Sequence, residues 1–210
     1  MFISNLSQTY LEFTPYKSSD FRQTKANFTR QSSEELIYLE FVPYKNSDFN
    51  QIRANFISQK SKELVFKIIS NLKLTTKWFS PLEKVEVIKY YDHDNFLLRL
   101  IINPLWPLKK REIIACVNTI FHRFSIEIKI QDCSKQYPIN VAYERIKKVK
   151  STWLIEQISS SQVQVSYSTW LEPGGHIPAV FYNMMIRSPI SKSLIALQKL
   201  IETASFEDGV

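Results

Sequence analysis

Apolar and polar residues alternate through most of this chain, and the pattern changes to helical spacing in two places. Ile37 to Tyr44 reads as an extended, aromatic-rich strand, and Pro43 with Asn46-Ser47-Asp48 makes a turn into a second strand, Phe49 to Ile57. Ser61 to Leu72 then places Leu64, Val65, Ile68, Ile69 and Leu72 on one helical stripe, with Ser58, Ser61 and Glu63 around its first turn. After it the chain reads as strands: Val85 to Tyr91 and Asn95 to Ile102 about the turn Asp92-His93-Asp94, then Glu112 to Phe121 and Phe124 to Gln131 about His122-Arg123. Phe124, Ile126, Ile128 and Ile130 alternate with Ser125, Glu127, Lys129 and Gln131, which predicts one dry and one wet face. Lys147 to Gln157 and Gln162 to Leu171 complete the set. A C-terminal helix is expected from Pro178 to about Glu202, kinked at Pro189, where proline breaks the hydrogen-bond ladder.

A sheet that is dry on one face has to be covered, and the C-terminal helix is the large element available. The expected fold class is therefore α+β, a curved antiparallel sheet around a long C-terminal helix.

The N-terminal part is duplicated. Tyr10-Leu11-Glu12-Phe13 to Phe28 returns as Tyr38-Leu39-Glu40-Phe41 to Phe56, about two thirds identical when carried on through Leu36 and Leu64, and two copies are too few for a solenoid. Copy two runs directly into the Ser61 to Leu72 helix and is expected in the fold. Copy one is expected to be surplus: an added hairpin, a mobile segment, or a strand pair for a second chain's edge. The organisation read from this is 1–36 as the extra copy, 37–204 as the domain and 205–210 as a tail.

Composition narrows the function classes. With 3 Gly in 210 residues, two of them adjacent at Gly174-Gly175, no phosphate-cradling glycine loop is present. The net charge is +7, but the basic runs Lys109-Lys110-Arg111 and Arg145 to Lys150 fall in strand segments. They read as a solvated sheet face and not as a nucleic-acid arm. Cys116 and Cys133 form no metal spacing and are expected as free thiols in a reducing compartment. Met1 to Thr14 lacks signal-peptide character and no stretch reaches about 18 apolar residues, so a cytoplasmic location is expected. Neither a nucleophile elbow nor a diagnostic carboxylate pair occurs. His93 between two aspartates reads as a hairpin turn, and no catalytic residue, metal or cofactor is expected.

Several segments resemble the START (StAR-related lipid-transfer) domain family. Asn103-Pro104-Leu105-Trp106-Pro107-Leu108-Lys109-Lys110-Arg111-Glu112 is similar to its "PWPL-x-x-R-D" segment, with Glu in place of Asp. Leu171-Glu172-Pro173-Gly174-Gly175-His176-Ile177-Pro178 is similar to its strand-to-helix "D-P-G-G-x-I-P" junction. Trp78 ahead of Val85 to Val87, and Trp153 on a late strand, occur in the family's order, so that the likeness runs from about Ile37 to Glu202.

The resemblance implies a short, single-domain helix-grip protein of bacterial type. It would bind and transfer a lipid or sterol in an apolar tunnel gated by the C-terminal helix, without catalysis, cofactor or nucleic acid. Membrane contact would be transient, and the oligomeric state is left open. The alternative is a helix-grip small-molecule enzyme, cyclase- or hydrolase-like. Strand parity and the resemblance together nominate ligand-binding residues: Trp78, Phe96, Leu98, Leu100, Trp106, Arg111, Ile113, Trp153, Tyr167, Phe181 and Met184. Arg111 carries two open readings. In one it points into the tunnel toward a polar ligand group, because the acidic partner used by some members aligns near apolar Leu100. In the other it turns outward and pairs with a surface acid such as Glu112 or Glu86.

Overall fold

The computed structural model describes residues 37–103 and 108–205. The first repeat copy and Trp106 lie outside the described residues. Two strands, β1 (Tyr38–Tyr44) and β2 (Ser47–Ser58), lead into α1 (Lys62–Ser70) and α2 (Leu72–Trp78). Then come β3 (Leu82–Tyr90), β4 (Asn95–Ile102), β5 (Arg111–Phe121), β6 (Ser125–Asp132), a 3-10 turn at Ser134–Gln136, and β7 (Glu144–Ile146). β8 (Lys148–Gln157) and β9 (Val163–Glu172) precede α3 (Ala179–Met185) and α4 (Arg187–Thr203). The sheet order is β1-β2-β9-β8-β6-β5-β4-β3, antiparallel throughout, except that β7 pairs in parallel with the start of β5.

Parity decides which face is covered. Ile113, Ala115 and Val117 of β5, Ile126 and Ile128 of β6, Val149, Trp153 and Ile155 of β8, and Val163 and Val165 of β9 all point to the concave side. They meet Leu64, Val65, Ile68 and Ile69 of α1 and Ile190, Leu194, Leu197 and Ile201 of α4. Each fully covered aliphatic side chain contributes about 1.5–3 kcal/mol. This is the helix-over-curved-sheet arrangement that the pattern predicts.

At the helix ends the structure has Ser61 where the sequence expects a first-turn residue, and it adds details that periodicity does not carry. Ser61 caps α1, accepting from Leu64 N at 3.3 Å, and Asn71 caps a second helix, α2, accepting from Lys73 N and Leu74 N. The C-terminal helix breaks at Ile186, upstream of Pro189. The ring of Pro189 removes the bond to Met185 O and crowds that carbonyl, so the break falls one turn earlier, while Pro189 sits within the first turn of α4. Asp92 closes the β3–β4 turn by accepting from Asp94 N and Asn95 N at 2.8 Å each. His93 beside it is exposed, and its hydrogen bond to Asp94 raises its pKa.

Two expectations about the back of the sheet are corrected. Cys116 and Cys133 are joined in a disulfide, Cα to Cα 5.6 Å apart, rather than free. The β5–β6 hairpin pairs Cys116 with Gln131, and Cys133 follows two residues later with its N–H on Ile114 O, so register brings the sulfurs together. The basic runs are not wholly solvated either, because Arg111 and Arg145 are both buried. Arg145 belongs to a charge cluster centred on Glu112, which is 2% exposed. Arg99 Nε reaches Glu112 Oε1 at 2.5 Å, Arg145 Nε reaches Oε2 at 2.7 Å, and Arg99 also meets Glu86 at 3.2 Å. Burial lowers the Arg99 pKa, but hydrogen bonds to Glu112 and Glu86 outweigh it and the net direction is upward.

The segment 133–143 thus forms a strap behind the sheet, fastened at one end by the disulfide and at the other by β7. Arg145 Nη2 also donates to Pro138 O at 2.8 Å. A cleft of about 470 Å³ opens under the strap, lined in part by Lys135, Tyr137, Arg145 and Lys147. The disulfide closes a sequence separation of 17 residues, which on loop-entropy grounds is worth about 3 kcal/mol. Dithiothreitol, or a Cys116→Ala/Cys133→Ala variant, is expected to lower the unfolding midpoint accordingly in a urea titration.

Candidate ligand site

The concave face is closed unevenly. Where α1 and α4 lie on it, Phe56, Ile155 and Val165 are fully buried. Toward the other end Leu100, Ile102, Tyr167 and Leu171 face the same side, pack on the core, and keep part of their surface accessible, as does Phe96 beside the β3–β4 turn. The element near that end is α3. It is launched from β9 by Pro173-Gly174-Gly175, with φ of +71° at Gly174 and +67° at Gly175, values that suit glycine. A Cβ on Gly174 would lie 3.0 Å from Arg145 O, so the turn rests directly on β7. At its far side α3 is latched to the β1–β2 hairpin. Asn183 Oδ1 accepts from Asn50 N at 3.0 Å and its Nδ2 donates to Asp48 O at 2.9 Å, while Tyr182 meets Phe49 edge-on at 5.6 Å.

An aromatic row crosses the floor. Trp153 stacks on its register partner Tyr167 with centroids 4.1 Å apart, and Trp78 meets Trp153 edge-on at 6.0 Å. The indole N–H of Trp78 is buried without a hydrogen-bond partner among the described residues. Next along the same face, Ser151 and Thr169 share a 2.6 Å hydrogen bond. Burial raises the Tyr167 pKa, against hydrogen bonding from Thr169 and Ser151.

Arg111 stands at the α3 end and is 8% exposed. Its Nε donates to Pro173 O at 3.3 Å and its Nη1 to Lys109 O. Glu112 and Glu86 are engaged behind the sheet, so the outward pairing is not what the structure contains. Desolvation pushes the Arg111 pKa down, with Glu144, its register neighbour on β7, and then Tyr182 opposing. Burial pushes the Tyr182 phenol far upward against the pull of Arg111. Tyr182 therefore stays a neutral donor.

The nominated residues separate into groups. Trp78, Leu98, Arg111, Ile113 and Trp153 are buried, and Phe96, Leu100 and Tyr167 are partly so. Phe181 and Met184 differ from expectation: they are 37% and 63% exposed, beside Val180 at 83%. The short α3 turns Tyr182, Met185 and Ile186 toward the protein and that stripe toward solvent. Sequence reasoning missed Tyr182, Ser151, Thr169 and Asn183. The two nominated residues of α3, Phe181 and Met184, lie on its outer face, whereas the inner face carries a tyrosine and an asparagine.

Solved structures with this arrangement decide the fold. A STAR-related lipid transfer protein from Xanthomonas axonopodis superposes with a TM-score of 0.70 at 17% identity, covering 83% of this chain and 97% of that one. The fold is the START helix-grip. Human StAR-related lipid transfer protein 5 gives 0.70 at 14% identity over 86% and 88% of the two chains. An aromatase/cyclase from a Streptomyces species gives 0.51 at 12% identity over 72% and 90%. No protein-family model and no curated protein sequence matches this chain. Among the described residues no helix is long and apolar enough to cross a membrane.

Proposed function

We propose that the chain is a non-enzymatic lipid carrier that encloses an apolar ligand between the sheet and α3. The observation that carries this is the uneven closure of the concave face. Leu100, Ile102, Tyr167 and Leu171 keep accessible apolar surface at the α3 end, while positions under α1 and α4 are sealed. Covering that surface with a lipid tail gains roughly 25 cal/mol per Å². Titratable groups near that end include Arg111, Tyr167 and Tyr182, and burial keeps both phenols protonated. They are donors for holding a ligand and poor bases for a cyclase or hydrolase step.

The exposed stripe Val180, Phe181 and Met184, with Arg187 beside it, suits brief contact with an anionic bilayer when α3 opens. The test is lipid extraction of the purified protein followed by mass spectrometry, together with extraction of lipid from vesicles. Co-purifying lipid and net extraction support the carrier. Protein that is empty and extracts nothing overturns it. In the same assay Phe181→Ser/Met184→Ser is expected to slow transfer severalfold while leaving equilibrium binding unchanged.

A further inference from the structure

The strap behind the sheet is held by few bonds for its length. Pro138 to Ala142 is exposed throughout, with Ile139 at 60% and Val141 at 89%, so little apolar burial keeps it down. Besides the disulfide, Cys133 N donates to Ile114 O at 3.0 Å, and Arg145 donates to the carbonyls of Tyr137 and Pro138. The Arg99 guanidinium lies over the Tyr143 ring, 5.5 Å from its centre. Cys116, on the back of β5, and Cys133, at the start of the strap, are both half-buried, so a reagent reaches the bond without unfolding the core.

The other end of the strap bears on α3. β7 follows it directly and pairs with β5 over Arg111 to Ile113. Arg145 O lies 3.0 Å from where a Gly174 Cβ would stand, and Glu144 Oε1 lies 3.2 Å from the same point. The foot of α3 thus rests on a three-residue strand whose upstream neighbour is the strap, while β6 is zipped to β5 independently from Ala115 to Phe121. With the S–S bond closed, the strap is a short loop fixed at both ends. With it open, the loop gains chain entropy by fraying, and a short exposed segment of this kind opens locally well before the core. Fraying that reaches Glu144 and Arg145 removes the support under Gly174-Gly175. The contacts of Asn183 and Tyr182 with the β1–β2 hairpin are then left to hold α3.

Resting on the carrier reading for its consequence, we propose that the Cys116–Cys133 disulfide is a redox latch on α3, opened by a dithiol reductant and closed by a disulfide oxidant. A thiolate of the reductant attacks one sulfur, the S–S bond breaks, and the other cysteine leaves as a thiolate and takes a proton. The reductant's second thiol then displaces the first cysteine from the mixed disulfide. Two electrons and two protons end on Cys116 and Cys133, and the reductant departs as its own disulfide. The reverse exchange re-forms the bond. Opening the latch frees the foot of α3 and speeds lipid exchange, and closing it retains the ligand.

The experiment compares the full chain in its oxidised form and after dithiothreitol, with free thiols counted by alkylation and mass spectrometry and backbone hydrogen exchange followed in native buffer. Residues 134–146 and 174–186 are expected to exchange at least about tenfold faster in the reduced form, with β6, α1 and the buried face of α4 unchanged. Cys116→Ala/Cys133→Ala should match the reduced form and ignore dithiothreitol. The comparison on the unaltered chain stands even where that variant folds poorly. Transfer between vesicles is then read with two probes, dehydroergosterol and a pyrene-labelled phosphatidylcholine. Reduction is expected to speed severalfold whichever of them the oxidised protein moves. A bond that yields only once the chain unfolds overturns the latch, as does faster exchange confined to the strap or spread evenly over the core. An unchanged transfer rate with α3 loosened overturns it too. If neither probe moves in either state while 174–186 still loosens, the carrier reading falls and the latch on α3 stands.

Discussion

Glu112→Gln is expected to lower the stability of the fold by about 3–5 kcal/mol, measured as a shift of the urea midpoint at unchanged slope. The carboxylate is held by Arg99 and Arg145 at 2.5 to 2.7 Å, and Arg145 has 4% of its side chain exposed. Removing the charge leaves two guanidinium groups facing one another behind the sheet. Arg99 can still reach Glu86 and is 24% exposed, so it is partly relieved. Among the described residues Arg145 has only the carbonyls of Tyr137 and Pro138 left. The order of effects follows: Glu112→Gln largest, Arg145→Gln next, and Arg99→Gln smallest at about 1 kcal/mol, close to a surface pair. Equal losses for the three, or a Glu112→Gln effect under 1 kcal/mol, would show that the cluster is not the fastening of the strap.

That loss should be felt at the candidate site. Glu112 pairs in register with Arg145 on β7, and β7 supports Gly174 at the foot of α3. Hydrogen exchange at Glu144, whose N–H bonds Lys110 O at 2.9 Å, is expected to speed up in Glu112→Gln ahead of global unfolding. The disulfide leaves the other end of the strap tied, so the two fastenings are separable by combining the variant with reductant.

Much of the fold was legible because a half-buried strand writes its faces into alternate residues. β4 was read over the whole of Asn95–Ile102, and β6, β8 and β9 to within a residue or two at each end. What escaped was nonperiodic. β7 is three residues long and owes its place to one buried ion pair, for which local sequence carries no signal. The disulfide needed the hairpin register, not the spacing of the two cysteines. At the site, apolar wall positions on the strands followed from parity, and Arg111 was picked out by the segment around it. Phe181 and Met184 were nominated as ligand contacts, and they belong to an exposed element whose stripe Val180, Phe181 and Met184 faces out. Its inward face is chosen by hydrogen bonds from Asn183 to the β1–β2 hairpin, a contact 133 residues distant in sequence.

The same logic decides which repeat copy fills the sheet, and Ser58→Arg in copy two is expected to cost on the order of 4 kcal/mol. The two copies keep the same tyrosines, phenylalanines and Pro-Tyr-Lys turn, so both satisfy the β1–β2 pattern. They differ where β2 is most enclosed. Ile52, 6% exposed, corresponds to Thr24, and Ser58, 1% exposed and accepting from Lys60 N, corresponds to Arg30. An arginine at the position of Ser58, in register with buried Val163, would have to carry its charge out of the core or distort the end of β2. Ser58→Ala, which removes only one hydroxyl, is expected to cost about 1 kcal/mol, and Ile52→Thr about 2 kcal/mol. Deleting residues 1–36 should leave the unfolding midpoint unchanged, because the described pairing of β1 with β2 and of β2 with β9 is made by copy two. Should Ser58→Arg cost under 1 kcal/mol, or the deletion destabilise the protein, copy one would be a working part of the sheet and not a surplus one. With the deletion neutral and the substitution severe, the two differences at Ile52 and Ser58 are sufficient to make near-identical strand pairs unequal competitors for one slot.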